Sequence, residues 1–134
     1  MTTCYIGIGS NLGDRRQLID RAIDELKNAP GIRLVRISSI YETDPVSAIP
    51  QGRFLNGVLE IETELRPRAL LSWLTTIEDR LGRTRLVKNG PRPMDLDILY
   101  YGDLCVDEND LKIPHPEIPV REFVLRGLRE LGKV

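Results

Sequence analysis

The stretch that most constrains this chain runs from Gly90 to Tyr100, Gly-Pro-Arg-Pro-Met-Asp-Leu-Asp-Ile-Leu-Tyr. Pro91 and Pro93 hold its entry extended, because proline fixes its own φ and pushes the preceding residue out of the helical region. From Met94 the run is rich in Leu, Ile and Tyr and ends at Gly102, which predicts a buried strand. On a strand Asp95 and Asp97 share one face, while Leu96 and Ile98 point the other way into a core. Two adjacent carboxylates repel and cost desolvation unless cations neutralise them. Hard oxygen donors favour Mg²⁺, which keeps its waters and completes its shell with substrate phosphates. Spacing alone fits a solvated strand face equally well, so the neighbouring residues must decide.

Those neighbours are basic. The segment 83–92 carries Arg83, Arg85, Lys88 and Arg92 and no acid. The whole chain has a net charge of −1, so this concentration is local and points to a polyphosphate site. Arginines clamp phosphate oxygens, and aspartates hold the cations that bridge them. The overall balance offers no pull towards nucleic acid or a membrane. Only 5% of residues are aromatic and there is one basic loop, which argues against an RNA-binding module. No apolar run approaches the roughly 20 residues that span a bilayer. With 134 residues, 41% of them hydrophobic, the chain reads as one domain over 1–134. The N-terminus lacks the basic start of a signal peptide. Cys4 and Cys105 read as two reduced, buried thiols, consistent with a cytoplasmic protein.

Around this centre the remaining elements are legible. Cys4 to Ser10 predicts a central strand with glycines at close approaches. Asp14 reads as an N-cap, with Gln17 three residues on, before an apolar stripe of Leu18, Ile19, Ala22, Ile23 and Leu26. Residues 32–41 alternate and read as a second strand. Residues 44–52 form a long loop. Phe54 to Thr63 predicts a third strand with Phe54 and Asn56 on one face and Leu55, Gly57, Leu59 and Ile61 on the other. An aromatic beside an amide suits a flat heterocycle with hydrogen-bonding edges; a packed Phe beside a surface Asn fits the residue types as well. Pro67 opens a second helix whose buried stripe is Leu70, Leu71, Leu74, Ile77 and Leu81, with Glu78 at its edge and Gly82 as the stop. After the aspartate strand come a polar region with one short edge strand, a rigid Ile113-Pro114-His115-Pro116, and a final helix over 119–131. His115 is the sole histidine.

The order strand, helix, strand, strand, helix, strand predicts an α+β, ferredoxin-like βαββαβ fold. Its sheet is mainly antiparallel, with helices packed on one face and a short C-terminal extension. Such a fold names no function by itself.

The motifs do. Gly7-x-Gly9-Ser10-Asn11-Leu12-Gly13-Asp14, Ser39-x-Tyr41-x-Thr43, Phe54-Leu55-Asn56, Gly90-Pro91-Arg92-x-x-Asp95-Leu96-Asp97 and Pro114-His115-Pro116 follow one another in this order. Together they resemble the 6-hydroxymethyl-7,8-dihydropterin pyrophosphokinase family of folate biosynthesis, over about residues 5–128. The resemblance implies a diphosphotransferase whose small-molecule substrates are ATP and 6-hydroxymethyl-7,8-dihydropterin, with AMP released. It implies two Mg²⁺ ions on Asp95 and Asp97. Phe54 and Phe123 correspond to an aromatic pair around the pterin, and Asn56 and the backbone around Thr43 and Val46 to groups that read its edge. Arg83 and Arg92 correspond to catalytic, phosphate-binding arginines of a mobile loop, and His115 and Arg121 to further ATP-phosphate contacts. Glu78, Ile98, Leu111 and Lys112 fall where the family contacts nucleotide. Asn89 and Pro116 depart from some members, which carry tryptophan and tyrosine there. Two other readings of the residues are a different two-metal nucleotidyl transferase on the same fold and a non-catalytic ligand-binding module. Monomer and homodimer are equally compatible with the sequence.

Overall fold

The computed structural model describes residues 1–45, 49–82, 91 and 93–134. The chain forms β1 (Thr2–Ser10), α1 (Arg15–Lys27), β2 (Ile32–Ile37), β3 (Tyr41–Thr43), β4 (Phe54–Thr63), α2 (Pro67–Arg80) and β5 (Asp95–Tyr101). A hairpin of β6 (Val106–Glu108) and β7 (Leu111–Ile113) follows, then a 3₁₀ turn at Ile118–Val120 and α3 (Glu122–Glu130).

Local chemistry sets the helix ends. The Asp14 carboxylate accepts the Gln17 N–H at 3.2 Å and caps α1. Pro67 starts α2, where its missing N–H costs nothing. Gly82 lies just past α2 with φ +88°, a left-handed value that glycine adopts without strain.

The sheet is antiparallel in the order β2-β4-β1-β5, and β3 pairs with the other half of β4. This is the ferredoxin-like architecture. Ile6, Ile8, Leu59, Ile61, Leu96 and Ile98 face α1 and α2, whose Ile19, Leu26, Leu70, Leu74 and Ile77 are fully buried against them. Burying a side chain of this size stabilises the fold by about 1.5–3 kcal/mol each. The opposite face of the sheet is covered by α3. There Val58 and Leu99 meet Val124, Leu128 and Leu131. The two framework helices thus share one face and the extension's helix takes the other.

Several boundaries differ from the sequence pattern. The alternating run 32–41 is two strands: β2 ends at Ile37 and β3 begins at Tyr41, with Ser38 to Ile40 between them, and β2 itself has a register shift between Leu34 and Arg36. Ser38 bonds Val58 twice, through its N–H and its Oγ, and Gly57 leaves room for Ile40. The single short edge strand is instead the β6–β7 hairpin, held to α2 by Arg68 through Glu108 and Asp110. Cys4 is buried, as expected, but Cys105 is exposed, because it sits in the polar turn before β6. Among the described residues no helix is long and apolar enough to cross a membrane.

Candidate active site

The site is built on one row of residues across the sheet. Asp95 of β5 stands opposite Gly9 of β1, Gly9 opposite Asn56 of β4, and Asn56 opposite Tyr41 of β3. Asp97 stands opposite Gly7. The two glycines keep the floor low between the carboxylates and the amide. A Cβ on Gly9 would lie 2.6 Å from Asn56 Oδ1, so any other residue there would push the amide away.

Over this floor lies a cavity of about 350 Å³, large enough for a small heterocycle. Asp95, Asp97, Phe54, Asn56 and Thr43 line it from the sheet, and His115, Arg121 and Phe123 line it from the C-terminal segment. Asn56 Nδ2 donates to Thr43 Oγ1 at 2.5 Å, which leaves Oδ1, lying over Gly9, as the acceptor of the amide. A second cavity of about 250 Å³ lies along the other side of β5, lined by Ile98, Leu111, Lys112, Leu71 and Pro116. Asp97 and His115 line both. The two spaces therefore meet at one carboxylate and one imidazole.

His115 Nδ1 accepts the Glu117 N–H at 3.2 Å, which places the proton of the neutral ring on Nε2. Burial and the positive charge of Arg121 lower its pKa from the ordinary 6.5, so the ring is uncharged at neutral pH. Arg121 is held by Glu117 four residues earlier and lies 5.8 Å from the centre of the Phe123 ring.

Glu78 belongs to the framework. It is only 3% exposed, and its Oε2 accepts the Leu96 N–H at 2.8 Å. Leu96 sits between the two aspartates, so α2 fixes the strand that carries both. Glu78 is not among the side chains lining either cavity, whereas Ile98, Leu111 and Lys112, grouped with it in the sequence, line the second. Val46, Arg83 and Arg92 lie outside the described residues, as do Lys88 and Asn89.

Three contributors escape sequence reading. Gln51 and Glu117 line the larger cavity without any motif to mark them. Asn11 reads as a turn residue, yet its Nδ2 donates to Gln51 Oε1 at 2.7 Å and to the Gly52 carbonyl at 3.1 Å. The Ser-Asn-Leu-Gly turn thus ties the end of the 44–52 segment to β1. The signal was the motif itself, since an amide beside a strand end can bond loop backbone.

The chemistry of Asp95 and Asp97 is compatible with a Mg²⁺ site. Both carboxylates are half-buried, stand opposite glycines and line the larger cavity. No group of three or more His, Cys, Asp or Glu suited to a metal occurs among the described residues. Two carboxylates completed by phosphates and water suit Mg²⁺; they do not suit a metal that needs a full protein cage.

Comparison with known proteins shows the family. The chain is 44% identical over 127 residues to the 2-amino-4-hydroxy-6-hydroxymethyldihydropteridine pyrophosphokinase of Bacillus subtilis, covering 95% of this chain and 76% of that one. It is 42% identical over 128 residues to the enzyme of the same name from Pseudomonas aeruginosa, covering 96% and 79%. Its fold matches a crystal structure of an HPPK-DHPS protein in complex with substrates, with a TM-score of 0.74 at 14% identity, over 97% of this chain and 40% of that one. The profile of the family described as 7,8-dihydro-6-hydroxymethylpterin-pyrophosphokinase matches residues 5–133, and the chain belongs to that family.

Proposed function

We propose that the larger cavity holds the pterin, the smaller one holds the nucleoside end of ATP, and the phosphate chain crosses the wall they share. The reaction is the family's: pyrophosphate passes from ATP to the hydroxymethyl group of 6-hydroxymethyl-7,8-dihydropterin, and AMP leaves. The observation that carries the arrangement is that Asp97 and His115 line both cavities. We read residues 1–134 as a single domain, since both cores share one sheet, and place it in the cytoplasm.

Each side chain then has a task. Phe54 and Phe123 take the two faces of the pterin ring. Asn56 Oδ1 accepts from a ring N–H, and Thr43 keeps the amide turned that way. Ile98 and Leu111 give the base an apolar wall, and Lys112, paired with Asp107 at 2.5 Å, lies at its rim. His115 Nε2–H and the Arg121 guanidinium donate to phosphate oxygens. Arg83 and Arg92, assigned by family resemblance, add further positive charge there. Asp95 and Asp97 would hold two Mg²⁺ ions, which when bound neutralise the phosphate oxygens and align the reacting phosphorus. The pterin hydroxyl attacks the β-phosphorus, the bond from that phosphorus to the α–β bridging oxygen breaks with AMP as the leaving group, and the hydroxyl proton is released to bulk solvent with the products. Most of the acceleration comes from holding these two atoms in line in a site that excludes water.

A different two-metal nucleotidyl transferase would use the aspartates and leave Phe54, Asn56 and Phe123 without work. Their presence in the same cavity as Asp95 favours a pterin acceptor. Mixing the protein with ATP, Mg²⁺ and the hydroxymethyl pterin should yield AMP and pterin diphosphate in equal amounts by ion-exchange chromatography. ADP as the nucleotide product, or AMP release that does not depend on the pterin, would refute the assignment.

A further inference from the structure

We propose that β3 acts as an alignment strut for the acceptor, and that Tyr41 is the positioning residue through which the sheet sets Phe123. This rests on the assignment of the larger cavity to the pterin.

Phe123 is the second residue of α3, the one helix on its face of the sheet among the described residues. A ring at a helix end is only as well placed as the helix. One short stretch of chain, residues 36–41, supplies polar ties along the length of α3. Arg36 Nη2 donates to the Leu131 carbonyl at 2.6 Å, and the Ser39 N–H and hydroxyl both donate to Glu130. These hold the far end. At the near end the Tyr41 hydroxyl donates to the Phe123 carbonyl. The same hydroxyl lies beside Gly127, one turn further along α3.

The approach is close because position 127 is glycine. A Cβ there would lie 2.4 Å from Val58 Cγ2 and 3.2 Å from the Tyr41 hydroxyl. Tyr41 itself is 7% exposed, with the Arg126 guanidinium 4.1 Å from its ring centre. Burial pushes its hydroxyl up to about 12, which keeps it a donor at any working pH. Two residues along the same strand, Thr43 orients Asn56. A three-residue strand thus aims both the aromatic wall and the edge-reading amide of one ring site.

The test uses Tyr41→Phe, which removes one oxygen and preserves the ring. Pterin and ATP dissociation constants would be measured separately by calorimetry on the full chain, with Phe123→Ala and Ile19→Val alongside. Losing the hydrogen bond to the Phe123 carbonyl should weaken pterin binding about five- to tenfold while ATP binding changes by less than about twofold. Phe123→Ala should weaken pterin binding further still. Ile19→Val, in the core on the other face, should lower the melting temperature and leave the ratio of the two constants unchanged. If Phe123→Ala leaves pterin affinity intact, the cavity assignment itself fails. If Phe123→Ala weakens it but Tyr41→Phe does not, the strut is overturned. Equal weakening of both ligands by Tyr41→Phe, or the same split in Ile19→Val, would show a merely structural role and overturn it too.

Discussion

Asp97→Asn should lower turnover by a factor on the order of 10³ or more, with the melting temperature almost unchanged. The substitution keeps the shape of the side chain and removes its charge. Asp97 is half-buried on the face of β5 away from α1 and α2 and belongs to neither apolar core, so no core contact is lost. What is lost is the carboxylate that, with the His115 imidazole, lines both cavities. Steady-state AMP formation over a range of Mg²⁺ concentrations, with a thermal melt, measures both parts. An Asp97→Asn protein with ordinary turnover would remove the cation role from this strand.

The largest effect on stability is expected at Gly127. Gly127→Ala puts a methyl group 2.4 Å from Val58 Cγ2, and Val58 is 1% exposed and stiff at χ1. Neither backbone nor side chain can yield cheaply, so overpacking should cost about 1–3 kcal/mol. For a chain of this size that is a fall in melting temperature of roughly 3–6 °C per kcal/mol. The double variant Gly127→Ala/Val58→Ala should recover part of the loss, because the second change removes the atoms struck by the first. Additive losses in a chemical-denaturation series would mean that the contact is not the cause. Pterin affinity should fall with Gly127→Ala as well, since α3 carries Phe123.

The framework of the fold was readable because its signals are local. Asp14 and Pro67 mark helix starts by chemistry that needs no partner, and the apolar stripes of α1 and α2 show their buried faces directly. The facing of Asp95 with Asp97, and of Phe54 with Asn56, follows from the two-residue period of a strand. What the sequence hid depends on a partner elsewhere in the chain. Residues 32–41 read as one strand, but between β2 and β3 the Ser38 side chain takes the Val58 N–H, a bond that depends on a residue 20 positions away. Glu78 reads as an ambiguous edge residue until Leu96, 18 positions away, supplies the N–H that explains its burial. The seat of α3 on the face opposite the other helices depends on Gly127 meeting Val58, again a distant pair. The family motifs bridge this gap, because they mark positions by chemistry even where the contact that uses them cannot be seen.

The central claim is that two substrates meet across Asp97 on the face of β5. A crystal structure with Mg²⁺, a non-hydrolysable ATP analogue and the hydroxymethyl pterin tests it most directly. The account predicts two cations touching the carboxylates of Asp95 and Asp97, the pterin between Phe54 and Phe123 with its edge on Asn56, and the nucleoside against Ile98 and Leu111. A pterin bound outside the larger cavity, or cations held away from both aspartates, would contradict it.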